Sequence, residues 1–435
     1  MIFQQKALGL GLIVLVFWPI SGFPEMITEI PENPGSANTI TLRQVVARVL
    51  VENPELKVFA LEQRAREAQV LQSGLLPNPR LGMEVENVAG SGGFNGFNKS
   101  ETTIRLSQLV ELGGKRAARI QASSHSRDLS NWDYEAKRID VLTETSKAFT
   151  ELLKAQRQVA VSNELAGLAE KSLTAVAERV RAGKVSPIEK IKAEVELATA
   201  KLEFERSKSE WDAARRNLAA TWGETEPQFQ LALGNLEETS SVPSFEALIR
   251  KIHQNPGLAR WGAELSQRQA VVDLERSKAI PDVSLEAGYR RLEESNDNAL
   301  VFGISVPLPL FDRNQGAVAE ARHRLAKAQA QKNAIAMRLK NNLANGYRAL
   351  TFAHSEVVAL KIQVVPGAQS AFDALTEGYR FGKFDFLEVL DSQRTLFRAR
   401  MQYLQVLANY HKAVAEVERL TGAPLGNMEF PAGKE

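Results

Sequence analysis

The amino-acid sequence predicts a mainly α-helical fold with a small transmembrane β part, made of two tandem repeats and complete only when several chains assemble. Three observations predict it: an internal repeat covering most of the chain, two pairs of alternating segments about ten residues long, and helix-forming stretches far longer than globular helices.

The repeat comes from aligning the chain with itself. Asn53-Pro54-x-Leu56 returns as Asn255-Pro256-x-Leu258, and 79–84 (PRLGME) returns as 281–286 (PDVSLE), both at a shift of 202. Arg181-Ala182-Gly183-Lys184 with Glu189 returns as Arg380-Phe381-Gly382-Lys383 with Glu388, and Gly223 returns as Gly422, at a shift of 199. The three-residue change is expected in a loop between the two groups. The chain therefore divides into 1–24, 25–223, 224–243, 244–422 and 423–435: a leader, the first repeat, a connecting equatorial segment, the second repeat and a tail.

Each repeat holds two segments of period-two alternation, the pattern of half-buried strands. Leu81, Met83 and Val85 alternate with Gly82, Glu84 and Glu86, and after the loop 89–100 Ile104 and Leu106 alternate with Thr103, Arg105 and Ser107. In the second repeat Val283, Leu285, Ala287 and Tyr289 alternate with Ser284, Glu286, Gly288 and Arg290, and Leu300, Phe302, Ile304 and Val306 follow the loop 291–298. A soluble sheet with one wet face shows the same alternation. Strand length favours a membrane, since a tilted spanning strand needs about ten residues, and no other strand-rich region exists to cover the apolar face. Four strands cannot close a barrel, the smallest known having about eight, so several chains must share one.

The remainder reads as helix. From 114 to 180 the chain is rich in Ala, Glu, Lys, Arg and Leu and has no proline, which at about 1.5 Å per residue gives roughly 100 Å of helix. The stretch 315–379 matches it, with Pro366-Gly367 expected to kink or end it. Further helices follow each Gly-Lys turn. In the last, Leu387, Leu390, Phe397, Met401, Leu404 and Ala408 keep a 3–4 spacing interrupted by Arg394, and a second apolar line (Leu396, Tyr403, Leu407, Tyr410, Val414, Val417) implies neighbours on two sides.

Residue classes narrow the function. Lys6, the fourteen-residue apolar run 7–20 and the 21–24 break read as a secretory signal, too short to span a bilayer comfortably; an uncleaved anchor is the alternative. With no cysteine there is neither disulfide nor acylated N-terminal Cys. The formal charge of +2 and dispersed basic residues give no nucleic-acid footprint. The five histidines (His125, His253, His323, His354, His411) lack metal-ligand spacing, six methionines form no ladder, and no P-loop or G-x-S-x-G is present. No catalytic, cofactor or resident metal site is expected.

With the signal and the repeats, 305–316 (SVPLPLFDRNQG), 107–116 (SQLVELGGKR) and 379–391 (YRFGKFDFLEVLD) resemble the TolC-like outer-membrane efflux proteins, and the PLPLFDRNQG form is similar to their heavy-metal branch, typified by CzcC. The resemblance implies a homotrimer in the outer membrane. Three chains give twelve barrel strands, and their helices make a periplasmic α-barrel. Pro77, Pro79, Pro281, Pro307 and Pro309 then sit where strands give way to helices. It also implies an exit duct, not an enzyme, working with a periplasmic adaptor and an inner-membrane RND-type pump to export heavy-metal cations. Organic toxicants and secreted polypeptides are alternative cargoes, and a periplasmic coiled-coil adaptor or scaffold is the alternative class.

The resemblance further implies a periplasmic tip at the second turn. It assigns the gate to Tyr379, Glu388 and Asp391, with both acids on one helix face at i, i+3 and each becoming a ring of three carboxylates. Both acids also suit an ordinary helix start. The first repeat has Glu189 but Lys192 in place of Asp391, so the tips differ. Phe384 stands where the family carries a basic residue. Gly183, Lys184, Gly382 and Lys383 are implied adaptor-docking tips, the glycines permitting tight reversals.

Overall fold

The computed structural model describes residues 39–425, and the expected leader and the tail beyond 425 lie outside the described residues. A short parallel pair, β1 (Thr39–Thr41) with β4 (Leu231–Leu233), is an element the alternation pattern does not reveal, because three residues are too few to show a period. From β1 the chain enters α1 (Leu42–Glu52) and α2 (Pro54–Ser73), then the hairpin β2 (Arg80–Glu86) and β3 (Glu101–Val110), then α3 (Lys115–Arg181) and α4 (Pro187–Ala220). The second half repeats the order: α5 (Phe245–Lys251), α6 (Pro256–Lys278), β5 (Val283–Leu292), β6 (Asp297–Ser305), α7 (Gln315–Ala359), α8 (Val365–Arg380) and α9 (Phe386–Thr421).

The repeated Asn-Pro motif has a physical role. Asn53 Oδ1 accepts the Leu56 N–H at 2.9 Å and caps α2, while its Nδ2 donates to the carbonyl of Thr221 at the end of α4. Asn255 does the same one repeat later, accepting from Leu258 at 3.2 Å and donating to Arg419 O at 2.8 Å. Each asparagine thus satisfies orphan groups of two helix ends at once and ties the last helix of its repeat to the second. Gly422 caps α9 at φ 71, where a Cβ would stand 2.6 Å from Gln254 O, so both conformation and space demand glycine.

The four strands form one antiparallel sheet in the order β2-β3-β5-β6, the β3–β5 pair joining the repeats. Register puts Met83, Ile104, Tyr289 and Leu300 in one row and Leu81, Leu106, Ala287 and Phe302 in the next. That face is apolar and exposed. The opposite face carries Glu84 with Arg105, and Glu101 with Arg290 at 2.9 Å. Among the described residues, β2 and β6 are edges without further strand partners. The second hairpin is tighter than its loop-rich sequence suggests: β5 and β6 claim half of 291–298, and Asn296 at φ 63 makes the turn.

α3 is unbroken over 67 residues. Pro366 neither ends nor sharply breaks its counterpart; a π-turn at Leu360–Val364 lies between α7 and α8. Proline cannot donate, and its ring crowds the carbonyl four residues back. The wider turn, with Val365 N–H on Leu360 O, makes that room and lets the helix continue. Nor is the shift of the repeat absorbed in one loop. The left-handed residues before the long helices, Gly114 and Asn314, are 200 apart, whereas those after them, Gly183 and Gly382, are 199 apart.

Two apolar cores result. A large one at the helical midsection joins Phe149, Leu152, Leu218, Leu343, Leu407 and Leu420, and a smaller one holds Val176, Phe372, Tyr379, Phe386 and Leu396 at the far end. Polar ties stitch α3 to α9 at the midsection: Lys147 Nζ reaches Glu416 at 3.0 Å, and Lys412 reaches Glu151, which also holds Lys154 at 2.6 Å. Burial pushes both carboxyls up, but hydrogen bonds from these cations outweigh it and hold Glu151 and Glu416 below their ordinary range. The stability they add is therefore present above the ordinary carboxylate pKa and lost as pH falls through their lowered values. Acidification below about pH 4 is expected to speed amide exchange along α9, and Glu416→Gln should remove part of that acid response while lowering protection at neutral pH.

Candidate functional site at the helical tip

Both helix hairpins close by the same device. After α3, Lys184 N–H bonds Arg179 O at 2.9 Å across Gly183 at φ 67; after α8, Lys383 N–H bonds Gly378 O at 2.9 Å across Gly382 at φ 71. Each turn needs a left-handed residue, which glycine adopts without penalty. Lys184 and Lys383 are exposed, and neither has an ion-pair partner among the described residues.

The turns are alike in backbone and different in side chains. Ser186 caps α4 by accepting the Ile188 N–H. At the start of α9 the Glu388 carboxylate accepts the Asp385 N–H at 3.1 Å. Glu388 therefore performs a helix-start task, while its side chain remains on the exposed face that also carries Asp391. Asp391 is one turn from Arg394, whose guanidinium is pushed up chiefly by its hydrogen bond to Glu196, with Asp391 adding to it.

Tyr379 lies away from those two acids. It is buried, 9% exposed, with its ring 4.2 Å from the Arg179 guanidinium and its hydroxyl donating to Glu189 at 3.3 Å. Arg179 also donates to the Tyr379 carbonyl at 2.9 Å. Burial pushes the phenol above its ordinary value. Tyr379 thus clamps α8 to both helices of the first hairpin. The cation in this contact comes from α3. Phe384 instead lies over Gly378, where a Cβ would stand 2.3 Å from its ring, which accounts for the glycine before Tyr379.

A second tie was not anticipated from sequence. Arg394 directs Nε at 3.0 Å and Nη2 at 2.5 Å onto one oxygen of Glu196, a residue only 6% exposed. Farther up, Arg400 joins Glu164 of α3 at 2.9 Å and Gln369 of α8 at 2.7 Å. The signal was present: an arginine interrupting an apolar seam demands a carboxylate partner. The partner's identity was not readable, because Glu196 belongs to a helix 198 residues away. Together the ties hold two hairpins side by side.

Among the described residues, no group of three or more His, Cys, Asp or Glu side chains gathers to hold a metal ion, and no helix is long and apolar enough to cross a membrane. Comparison with known proteins gives consistent matches. The family model "Outer membrane efflux protein" matches twice, over residues 45–224 and 249–423. The chain is 37% identical, over 89% of its length and 91% of the relative's, to the cobalt-zinc-cadmium resistance protein CzcC of Cupriavidus metallidurans. It is 28% identical to the nickel-cobalt-cadmium resistance protein NccC of Alcaligenes xylosoxydans, over 67% of this chain and 65% of that one. Among solved structures, a membrane protein from Pseudomonas aeruginosa superposes with a TM-score of 0.75 at 20% identity, over 88% and 90% of the two chains.

Arg394→Ala leaves the buried Glu196 carboxylate without its hydrogen-bond partner and is expected to destabilise the tip by about 1–3 kcal/mol. Hydrogen exchange should locate the loss in the first turns of α9 and the facing part of α4, with the midsection core unchanged.

Proposed function

The chain belongs to the outer membrane efflux protein family, and from that premise we propose that it is the exit duct of a tripartite pump that exports heavy-metal cations. It is an outer-membrane channel protein with a long periplasmic helical portion, and not an enzyme. The observation that carries the reading is the sheet: apolar and exposed on one face, charged on the other, unpaired on both edges, and continuous with helices of up to 67 residues. Such a sheet suits lipid outside and water inside once neighbouring copies supply the missing edges. Three copies would give twelve strands. The metal cargo is supported by the resistance functions named for CzcC and NccC.

In this reading 25–223 and 244–422 are the two units, 224–243 is the equatorial connection, and the hairpin tips lie deepest in the periplasm. A periplasmic adaptor would dock on the turns at Gly183, Lys184, Gly382 and Lys383, bringing an inner-membrane RND-type pump beneath the entrance. The gate would be Tyr379, Glu388 and Asp391 in distinct roles. Tyr379, buried between Arg179 and Glu189, is the latch that keeps the second hairpin against the first. Glu388 and Asp391 lie on an exposed face, where threefold symmetry would gather six carboxylates around the entrance. Such rings favour cations and resist closing unless charge is offset.

Glu388→Ala with Asp391→Ala should lower the cation-over-anion permeability ratio of the reconstituted channel by about twofold or more and weaken block by multivalent cations. Glu189→Ala should change selectivity less, because its carboxylate is engaged with Tyr379. Single-channel recording in planar bilayers at several salt concentrations measures both. Unchanged selectivity and block in the double variant, with assembly intact, would reduce the two acids to helix-start residues.

A further inference from the structure

The β6 ladder ends at Ser305, opposite Ser284, but the outward apolar alternation continues beyond it. Leu300, Phe302 and Ile304 face outward within the strand, and Val306 and Leu308 keep the same period after it, Leu308 being 76% exposed. Pro307 and Pro309 hold this stretch extended and donate no backbone hydrogen, so leaving the sheet orphans fewer polar groups in an apolar medium. At Pro309 the chain turns, Leu310 N–H bonding Leu308 O at 2.8 Å, and presents Leu310 and then Phe311, 91% exposed. Polarity changes abruptly at the next residue, where Asp312 accepts the Asn314 N–H at 2.8 Å and α7 begins.

Length decides what this stretch touches. The hydrogen-bonded part of the stripe, Leu300 to Ile304, covers about 10 Å of the membrane normal at about 3.4 Å per residue and roughly 40° tilt, against an apolar band of about 25 Å. Continued to Leu308 it covers about 21 Å, and Leu310 and Phe311 complete the band.

We propose that 306–311 is a lipid-contacting anchor outside the sheet, with Val306 and Leu308 in the periplasmic leaflet of the outer membrane and Phe311 at its headgroup level. The proposal rests on the membrane placement of the β part. An aromatic ring followed by Asp312 and Arg313 suits that boundary, where one side is apolar and the other wet. The segment then fixes the depth of the duct.

The absence of cysteine makes the test clean. Leu308→Cys and Phe311→Cys, each carrying one nitroxide in the full assembled protein in phospholipid vesicles, are compared with Phe302→Cys on the strand and Lys208→Cys on α4. The ratio of collisions with oxygen to collisions with a water-soluble nickel chelate should be highest at 302, lower at 308 and lowest of the three at 311, yet several-fold above 208 at all three. Nickel access at 308 and 311 equal to that at 208 would overturn the anchor. So would protection from both reagents there, which would mean that another copy covers the segment. A water-like ratio at 302 as well would instead overturn the membrane placement beneath it.

Discussion

An edge strand in hydrocarbon is the constraint from which the rest of this structure follows. β2 and β6 each present a row of backbone N–H and C=O groups without partners in the chain, and in lipid each such group costs several kcal/mol because no water can bond it. Four strands are too few to curl onto themselves, so the edges must be met by other copies. That requirement makes the helices below a shared wall as well. It explains why large side chains such as Leu61, Leu202 and Phe352 stay exposed on the isolated chain; the two apolar lines of α9 are mostly buried within the chain, against α3, α7 and α8.

Duplication meets the constraint economically. Two copies of a hairpin placed side by side through β3–β5 give a sheet with like ends, and each copy locks its own helices through the same buried asparagine and left-handed glycine. Where the copies diverge, function is the reason that fits. The midsection is held by a large apolar core with charged ties. The tip is held by a few polar contacts around a small core. Those polar contacts are Tyr379 with Arg179 and Glu189, and Arg394 with Glu196.

Most of the fold was legible because its signals are periodic. Alternation at Leu81 to Val85 and Leu300 to Val306, and the long proline-free stretch that becomes α3, depend only on local spacing. The β1–β4 pair escaped notice because its strands are three residues long and pair across 190 residues. Pro366-Gly367 suggests a kink or an end because sequence shows the missing donor but not the π-turn through which the helix continues. At the tip, Tyr379 could be singled out by resemblance. Its partners Arg179 and Glu189 could not, since a cation on one hairpin meeting a ring on another is a fact of packing. Glu388 shows the reverse case: its helix-start bond to Asp385 is local and was foreseeable, whereas any role at the entrance depends on copies outside the chain.

If this chain is one third of a closed duct, native mass spectrometry of the protein extracted from outer membranes in mild detergent should give a single dominant species with three times the mass of the mature chain. A dominant monomer or dimer, under conditions where the β-sheet signal is retained, would contradict it.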